Sequence, residues 1–351
     1  MQKQIKILVT GRYETDYNRT TVLLQGLREL QEVRLIELPL PIESRIDRKK
    51  VAMASEGMDF VFLPSFRHAD VNDIRKSTRV PLAFDPLVSR YMTKIFDLQN
   101  IRPYSLRAIK NWFKDYGAFK NVDLLFADTE EHRDYYHDKF NVPREKIHVL
   151  PVGVNVEHYK PIQQLAHASF RIGFYGSFLP LQGVDKIVQV ANLLRQEKRV
   201  TFEIAGDGFQ FDAIKQLAKN ELRLENVNFM GRIPQEDLAN VIAGFDLCLG
   251  IFGEGIKADS VVPNKLFHYA SMGKCIISKN TKPVSRIFEN ETNILLSSNN
   301  PQDIANKIRW AMENPLKMNE IGRNSRQFVL NHYSQKHIAT IFVAALRSYQ
   351  A

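Results

Sequence analysis

The chain has few of the features that usually announce a function. It carries only two cysteines in 351 residues, Cys248 and Cys275, each inside an apolar run. Two buried thiols so placed exclude a disulfide framework and a zinc-ribbon spacing. No apolar run approaches the length needed to span a bilayer. The opening MQKQIKILVTG reads as a strand, not a signal peptide, because its apolar run is short and no small-residue cleavage site follows. The expectation is a cytoplasmic protein, soluble or peripheral at the inner face of the cell membrane. The first strand is followed by a loop with one glycine, so the G-x-G-x-x-G turn of dinucleotide-binding folds is missing. Gly206-Asp207-Gly208 lacks the third glycine. Gly273-Lys274 is followed by Cys275 and comes after a helix, which excludes a nucleotide-binding P-loop. No G-x-S-x-G elbow occurs, and the nine histidines show no paired metal spacing, so no metal site is expected. No nucleic-acid-binding module is readable, and no nucleic-acid partner is expected.

Acid is also in short supply. Lys and Arg number 48 against 39 Asp and Glu, a net charge of +9, which suits acidic partners such as nucleotide phosphates or anionic headgroups. Charged residues make up 25% and hydrophobic ones 44%, which is ordinary for a globular chain long enough for two domains.

What is present is a repeated alternation of apolar strands and helices. Strands are expected at Ile5–Thr10, Val33–Leu38, Asp59–Pro64, Val80–Phe84, Val122–Ala127 and 146–151. Helices are expected at Thr20–Leu30, Arg102–Lys120 and Thr129–Phe140. A polar stretch, Pro151–Ala168, reads as a linker. The pattern then restarts with strands at Phe170–Tyr175, Val200–Ala205, Val227–Met230 and Leu247–Ile251. Helices follow at Val184–Gln196, Phe211–Lys219 and Pro234–Ala243, and then at 301–314, 319–332 and 335–349. Continuous apolar strands alternating with helices imply parallel sheets covered on both faces. The fold class is therefore α/β, with two doubly wound domains and a cleft between them as the default ligand site.

The stretch from Leu249 to Ser278 organises the second half. A strand runs into a glycine loop, then a polar loop with Glu254 and Lys257, then Val262-Pro263-Asn264 and a helix over Lys265–Met272, with Gly273 at its C-terminal cap. Ligands bind at the carboxyl ends of strands in open α/β sheets, and helix starts attract phosphate. Two lysines beside that start suggest a diphosphate; a solvated loop over an ordinary crossover helix is the alternative.

Five blocks in this half carry a resemblance. They are Phe174-Tyr175-Gly176-Ser177-Phe178 with Leu181-Gln182-Gly183-Val184, Ile204 to Gly208, Val227 to Ile233, Phe245 to Gly253, and Val262 to Phe267 closed by Met272-Gly273-Lys274. In this order and separation they resemble the retaining glycosyltransferases of family 4, which have the two-domain GT-B fold. The first half matches more loosely, through Phe84 to Ser89, Ala127-Asp128-Thr129 and Ile147 to Pro161.

The resemblance implies an acceptor-binding domain over residues 1–160, a nucleotide-sugar-binding domain over 169–332, both Rossmann-like, and a last helix, 333–351, crossing back to the first. It implies a nucleotide-sugar donor, a UDP-sugar ahead of a GDP-sugar, with no metal or other cofactor, and a glycan, glycolipid or lipid-linked acceptor in surface polysaccharide or lipopolysaccharide assembly. Backbone N–H groups and basic side chains would neutralise the leaving diphosphate. Donor contacts are implied for Gly176, Ser177 and Gln182 at the phosphates, Gly206 and Asp207 beside them, Arg232 and Ile233 near the base, and Pro263, Asn264, Lys265 and Leu266 at the helix start. Gly11 and Arg12 would close over the donor. Lys257 and Glu254 are the catalytic candidates here, with Asp85 in the first half.

The sequence also departs from that family. Two glutamates about eight positions apart are usual. Here the second position is His268, and eight places earlier stands Ser260. Ser177 and Gln182 replace the usual Arg and Lys. His268 either contacts the donor ribose or packs under the loop. Glu254 is either the first glutamate or a solvated loop acid. Asp85 either sits near the sugar or caps a helix. The basic, aromatic stretch 101–120 either meets an anionic membrane or packs its aromatics inward. The departures raise an alternative function, a non-catalytic glycosyltransferase-like scaffold with a decayed donor site.

Overall fold

The computed structural model describes residues 4–164 and 167–350. Leu165 and Ala166, within the expected linker, lie outside the described residues, as do residues 1–3 and Ala351. The chain forms two compact units: Met1–Gly153 with Tyr333–Ala351, and Val154–His332.

The first unit holds a six-stranded parallel sheet. Its strands are β1 (Ile5–Gly11), β2 (Val33–Pro39), β3 (Phe60–Leu63), β4 (Leu82–Phe84), β5 (Leu124–Ala127) and β6 (Ile147–Val149), in the order β2-β1-β3-β4-β5-β6. The two-residue period of a strand divides its core. Ile7 and Val9 of β1 face one side with Phe60 and Phe62, whereas Leu8 packs on the other with Val61, Leu63 and Phe84. The first side is closed by the helix Asn18–Glu29 and by the last helix, Gln335–Gln350, which packs on it. Phe342 of that last helix sits 4.8 Å from Phe62 and 4.9 Å from Phe126, ring centre to ring centre. The two helices approach closely at Gly26, where a Cβ would lie 1.9 Å from the Gln335 carbonyl oxygen.

The second unit repeats the plan with β7 (Phe170–Tyr175), β8 (Val200–Ala205), β9 (Val227–Gly231), β10 (Leu247–Leu249), β11 (Cys275–Lys279) and β12 (Leu295–Ser297), in the order β12-β11-β10-β7-β8-β9. Cys248 and Cys275 are free and buried, and burial raises both thiols' pKa, that of Cys275 to about 12.

Several expected helices have different bounds. The helix expected from Pro234 starts at Leu238, because Pro234–Asp237 closes as a turn. The Arg102 stretch becomes helical only at Leu106, where the Ser105 hydroxyl caps the Ala108 N–H. The loop expected after Ser278 contains a short helix, Lys282–Ile287, with proline in its first turn.

Candidate donor site and related proteins

The carboxyl ends of β7, β8 and β9 surround a cavity of about 510 Å³ in the second unit. Its walls are Tyr175, Gly176 and Ser177 after β7, Ala205–Gly208 after β8, and Arg232, Ile233 and Leu238 after β9. The strand order puts the cavity next to the point where connections leave the central β7 in opposite directions, the usual ligand position in such sheets. One close approach shapes it. Gly206 has φ +129°, and a Cβ there would lie 1.9 Å from the Gly176 carbonyl oxygen. Only glycine lets these loops meet.

On the other side of β7, the loop Gly176–Gly183 is sewn to the loop after β10. Phe252 N–H donates to Gln182 O at 3.1 Å and Gly253 N–H to Leu181 O at 3.2 Å. Leu181 packs with Ile251, Ala258 and Val261, so the Glu254–Ser260 segment rests on this pair of loops.

Behind them runs the helix Asn264–Ser271, with Pro263 before it and no side chain capping its N-terminus. Lys265 lies in its first turn and is buried. Its ammonium donates to the Gln182 side-chain oxygen and stands 3.6 Å over the Phe174 ring. No carboxylate pairs with it among the described residues, and burial depresses its pKa well below the ordinary lysine range. A Cβ on Gly176 would come 2.9 Å from this ammonium and 3.1 Å from Gln182 Oε1. Lys265, Gln182 and Gly176 thus form one cluster at the cavity's edge.

His268 does not line the cavity. It is buried, its ring stacked on Tyr159 at 3.8 Å, and its Nδ1 accepts the Tyr175 hydroxyl at 2.6 Å. Burial and the nearby His158 lower its pKa to about 3, so the imidazole is neutral. Any effect of His268 on the cavity runs through Tyr175, a lining residue that sequence reasoning passed over. Its signals were its place at the end of an apolar strand and in the first block of the resemblance.

Of the remaining candidates in this unit, only Asp207 lines the cavity. Glu254 is largely exposed and binds Lys186 and Asn299, the latter at 2.9 Å; Lys186 lowers its pKa. Lys257 is buried in the loop after it. Asp207 accepts from the Gly208 N–H at 2.6 Å and shapes the β8 loop. Pro263 and Leu266 support the helix start, Leu266 from within the core.

Gly11, Arg12 and Asp85 belong to the first unit. Gly11 ends β1 with φ +113°. Arg12 is held by Asp70, which accepts from its backbone N–H at 2.8 Å and its Nε at 2.9 Å. Asp85 follows β4, fully buried, and pairs with the buried Arg19, which also donates to Leu150 O at 2.8 Å. Burial raises the Asp85 pKa against the pull of Arg19. Asp85 caps no helix. Ser89 caps the turn that follows, through the Met92 N–H at 3.0 Å, so the capping alternative is replaced by an ion pair.

Residues 155–328 match the family described as glycosyl transferases group 1. The match spans nearly all of the second unit. Over 94% of its length the chain is 28% identical to the probable glycosyltransferase WbjE of Pseudomonas aeruginosa, covering 82% of that protein. It is 23% identical over 64% of its length to the poly(ribitol-phosphate) alpha-N-acetylglucosaminyltransferase of Staphylococcus aureus (strain COL), of which it spans 46%. Anabaena Alr3699/HepE, solved in complex with UDP and glucose, superposes with a TM-score of 0.75 at 14% identity, covering 98% of this chain and all of that one. That likeness establishes the GT-B type of fold, two Rossmann-like domains, for this chain.

Proposed function

We propose that this chain is a retaining, metal-independent glycosyltransferase that takes a sugar from a UDP-sugar and places it on a glycan, glycolipid or lipid-linked acceptor in surface polysaccharide assembly. The second unit binds the donor and the first the acceptor. The observation that carries the reading is Lys265, a buried ammonium with no carboxylate partner, at the edge of a cavity lined by Gly176, Ser177 and Gly206. A leaving diphosphate is the counter-ion such a cation lacks, and donors fixed in place before charge develops lower the barrier without reorganisation. In this reading Arg232 and Ile233 border the base, and the open N-terminus of the Asn264 helix adds to the field at the phosphates. Lys257, Glu254 and Asp85 are the catalytic candidates. The solved UDP complexes of Alr3699/HepE favour uridine. The enzyme acts at an anionic membrane surface through residues 101–120.

A second reading is a scaffold with a decayed donor site. It is favoured by two placements: His268 is sealed between Tyr159 and Tyr175, and Glu254 is spent on Lys186 away from the cavity. Thermal unfolding with UDP, GDP and their sugars separates the two, since a ligand that binds only the folded state raises the midpoint with its concentration. A shift with UDP, lost in Lys265→Met, supports the enzyme; no shift at millimolar nucleotide supports the scaffold.

A further inference from the structure

A second cavity, of about 390 Å³, opens in the first unit beside the helix Leu106–Lys120. Arg107, Lys110 and Lys114 face it from that helix, spaced so that they share one side. Arg90 and Lys94 face it from the preceding turns. No acidic side chain lines it. None of the five cations forms an ion pair among the described residues, and the Nε of Arg90 is buried without a hydrogen-bond partner. Asp115 feels the charge of Arg90 but forms no ion pair with it; its Oδ2 accepts the Ser89 hydroxyl at 2.7 Å and the Tyr91 N–H at 2.9 Å. Burial lowers the Lys114 pKa, and the charges of Arg90, Lys110 and Lys94 add to it. Five like charges around one hollow repel each other unless an anion fills it.

The neighbouring stripe of the same helix is apolar and open to water. Leu106, Ile109 and Phe113 each precede a basic residue by one position, and they are 85%, 45% and 61% exposed. The helix therefore presents a cationic row and an apolar row side by side, about 100° apart. Trp112, Tyr116 and Phe119 pack against the core instead, so the outward apolar residues are additional to those the fold uses.

We propose that this cavity binds the phosphate of a lipid, with the phosphate or diphosphate among the five cations and the adjoining methylenes along Leu106, Ile109 and Phe113. The shared chemistry is a phosphate ester on an alkyl chain, carried either by an acceptor lipid or by a bilayer lipid. Its role as an acceptor subsite rests on the glycosyltransferase reading above; the binding itself does not.

The test uses the full chain and calorimetric titration with monomeric dihexanoyl phosphatidic acid, inorganic pyrophosphate as the headgroup without a chain, and flotation with phosphatidylglycerol vesicles. Lys110 and Lys114 are exposed, as are Lys49 and Lys50 on the separate helix Arg48–Ser55. Lys110→Ala/Lys114→Ala and Lys49→Ala/Lys50→Ala therefore remove equal charge from inside and outside the site. The expected result is binding of the monomeric lipid, about tenfold weaker in the first double variant and in Phe113→Ser, and unchanged in the second. Monomer binding together with flotation assigns the site to both sources, and monomer binding without flotation assigns it to the acceptor. Equal losses in both lysine pairs, pyrophosphate binding as tight as lipid, or no monomer binding overturns the proposal. The UDP-induced thermal shift, followed in the same variants, reads the donor site independently. Lipid binding without that shift leaves this site standing and removes the transferase reading.

Discussion

The Lys265 ammonium stands 3.6 Å above the centre of the Phe174 ring and donates to Gln182, with burial that keeps water away. A cation over a ring face recovers part of its lost hydration. Burial still depresses the Lys265 pKa, so the charged form is costly in the folded state.

Lys265→Met should therefore raise stability while removing function. The lysine's folded-state pKa lies below its ordinary 10.5, so the unfolded chain holds the extra proton, and stability rises as pH climbs toward 10.5. Methionine removes that dependence. A gain of about 1 kcal/mol would appear as roughly 2–4 °C in midpoint. UDP affinity should fall about tenfold or more, the worth of one charge-assisted hydrogen bond. A midpoint that drops, with UDP affinity intact, would contradict both halves.

The two buried histidines set an acid limb. Burial lowers His268 and His68 to about 3 from 6.5. Both are neutral in the fold and protonated in the unfolded chain between those values. Their contribution is fully present above pH 6.5 and lost as pH falls toward 3. Urea unfolding at pH 5 and pH 7 should show a smaller difference in His268→Gln than in the parent, because glutamine still accepts from Tyr175. An unchanged difference would show that His268 is not buried neutral.

Tyr175→Phe removes the buried donor to His268 Nδ1, at a cost of about 1–3 kcal/mol. It also alters one wall of the 510 Å³ cavity. Stability and UDP affinity should fall together. In His268→Gln, the affinity should be nearly kept. Equal affinity losses in the two variants would place His268 in contact with the ligand.

Asp85→Asn breaks a buried ion pair, which costs about 3–5 kcal/mol because Arg19 stays charged without its partner. Arg19→Met/Asp85→Leu removes both charges and should recover most of that loss. If Asp85 acts only through Arg19, the double variant keeps transfer activity at a temperature where it is folded. Loss of activity in a folded double variant would mark Asp85 as a catalytic group.

Much of the fold was legible because strands and helices alternate with distinct apolar periods. β7 and β8 keep the bounds read from Phe170–Tyr175 and Val200–Ala205, and glycines punctuate each loop. Boundaries moved where a local cap or turn decided the start, as with the Ser105 cap and the Pro234–Asp237 turn. The cavity after β7, β8 and β9 was partly legible: Gly176, Ser177, Gly206, Asp207, Arg232 and Ile233 line it together. What pattern could not give is side-chain partnership across distant segments. Lys186 holds Glu254, Arg19 holds Asp85, and Tyr159 covers His268 from far away in sequence.

The helix Gln335–Gln350 has a consequence for the order of synthesis. The sheet core of β1–β6 lacks one wall until that helix arrives, since Ile338, Phe342 and Leu346 complete it. The unit made first is thus finished last, after all of Val154–His332 has left the ribosome. The later-made unit is free to fold while the earlier one waits half covered. A chain stopped before residue 333 would leave the face of Phe62 and Phe126 uncovered, so the end made first is the one it would expose.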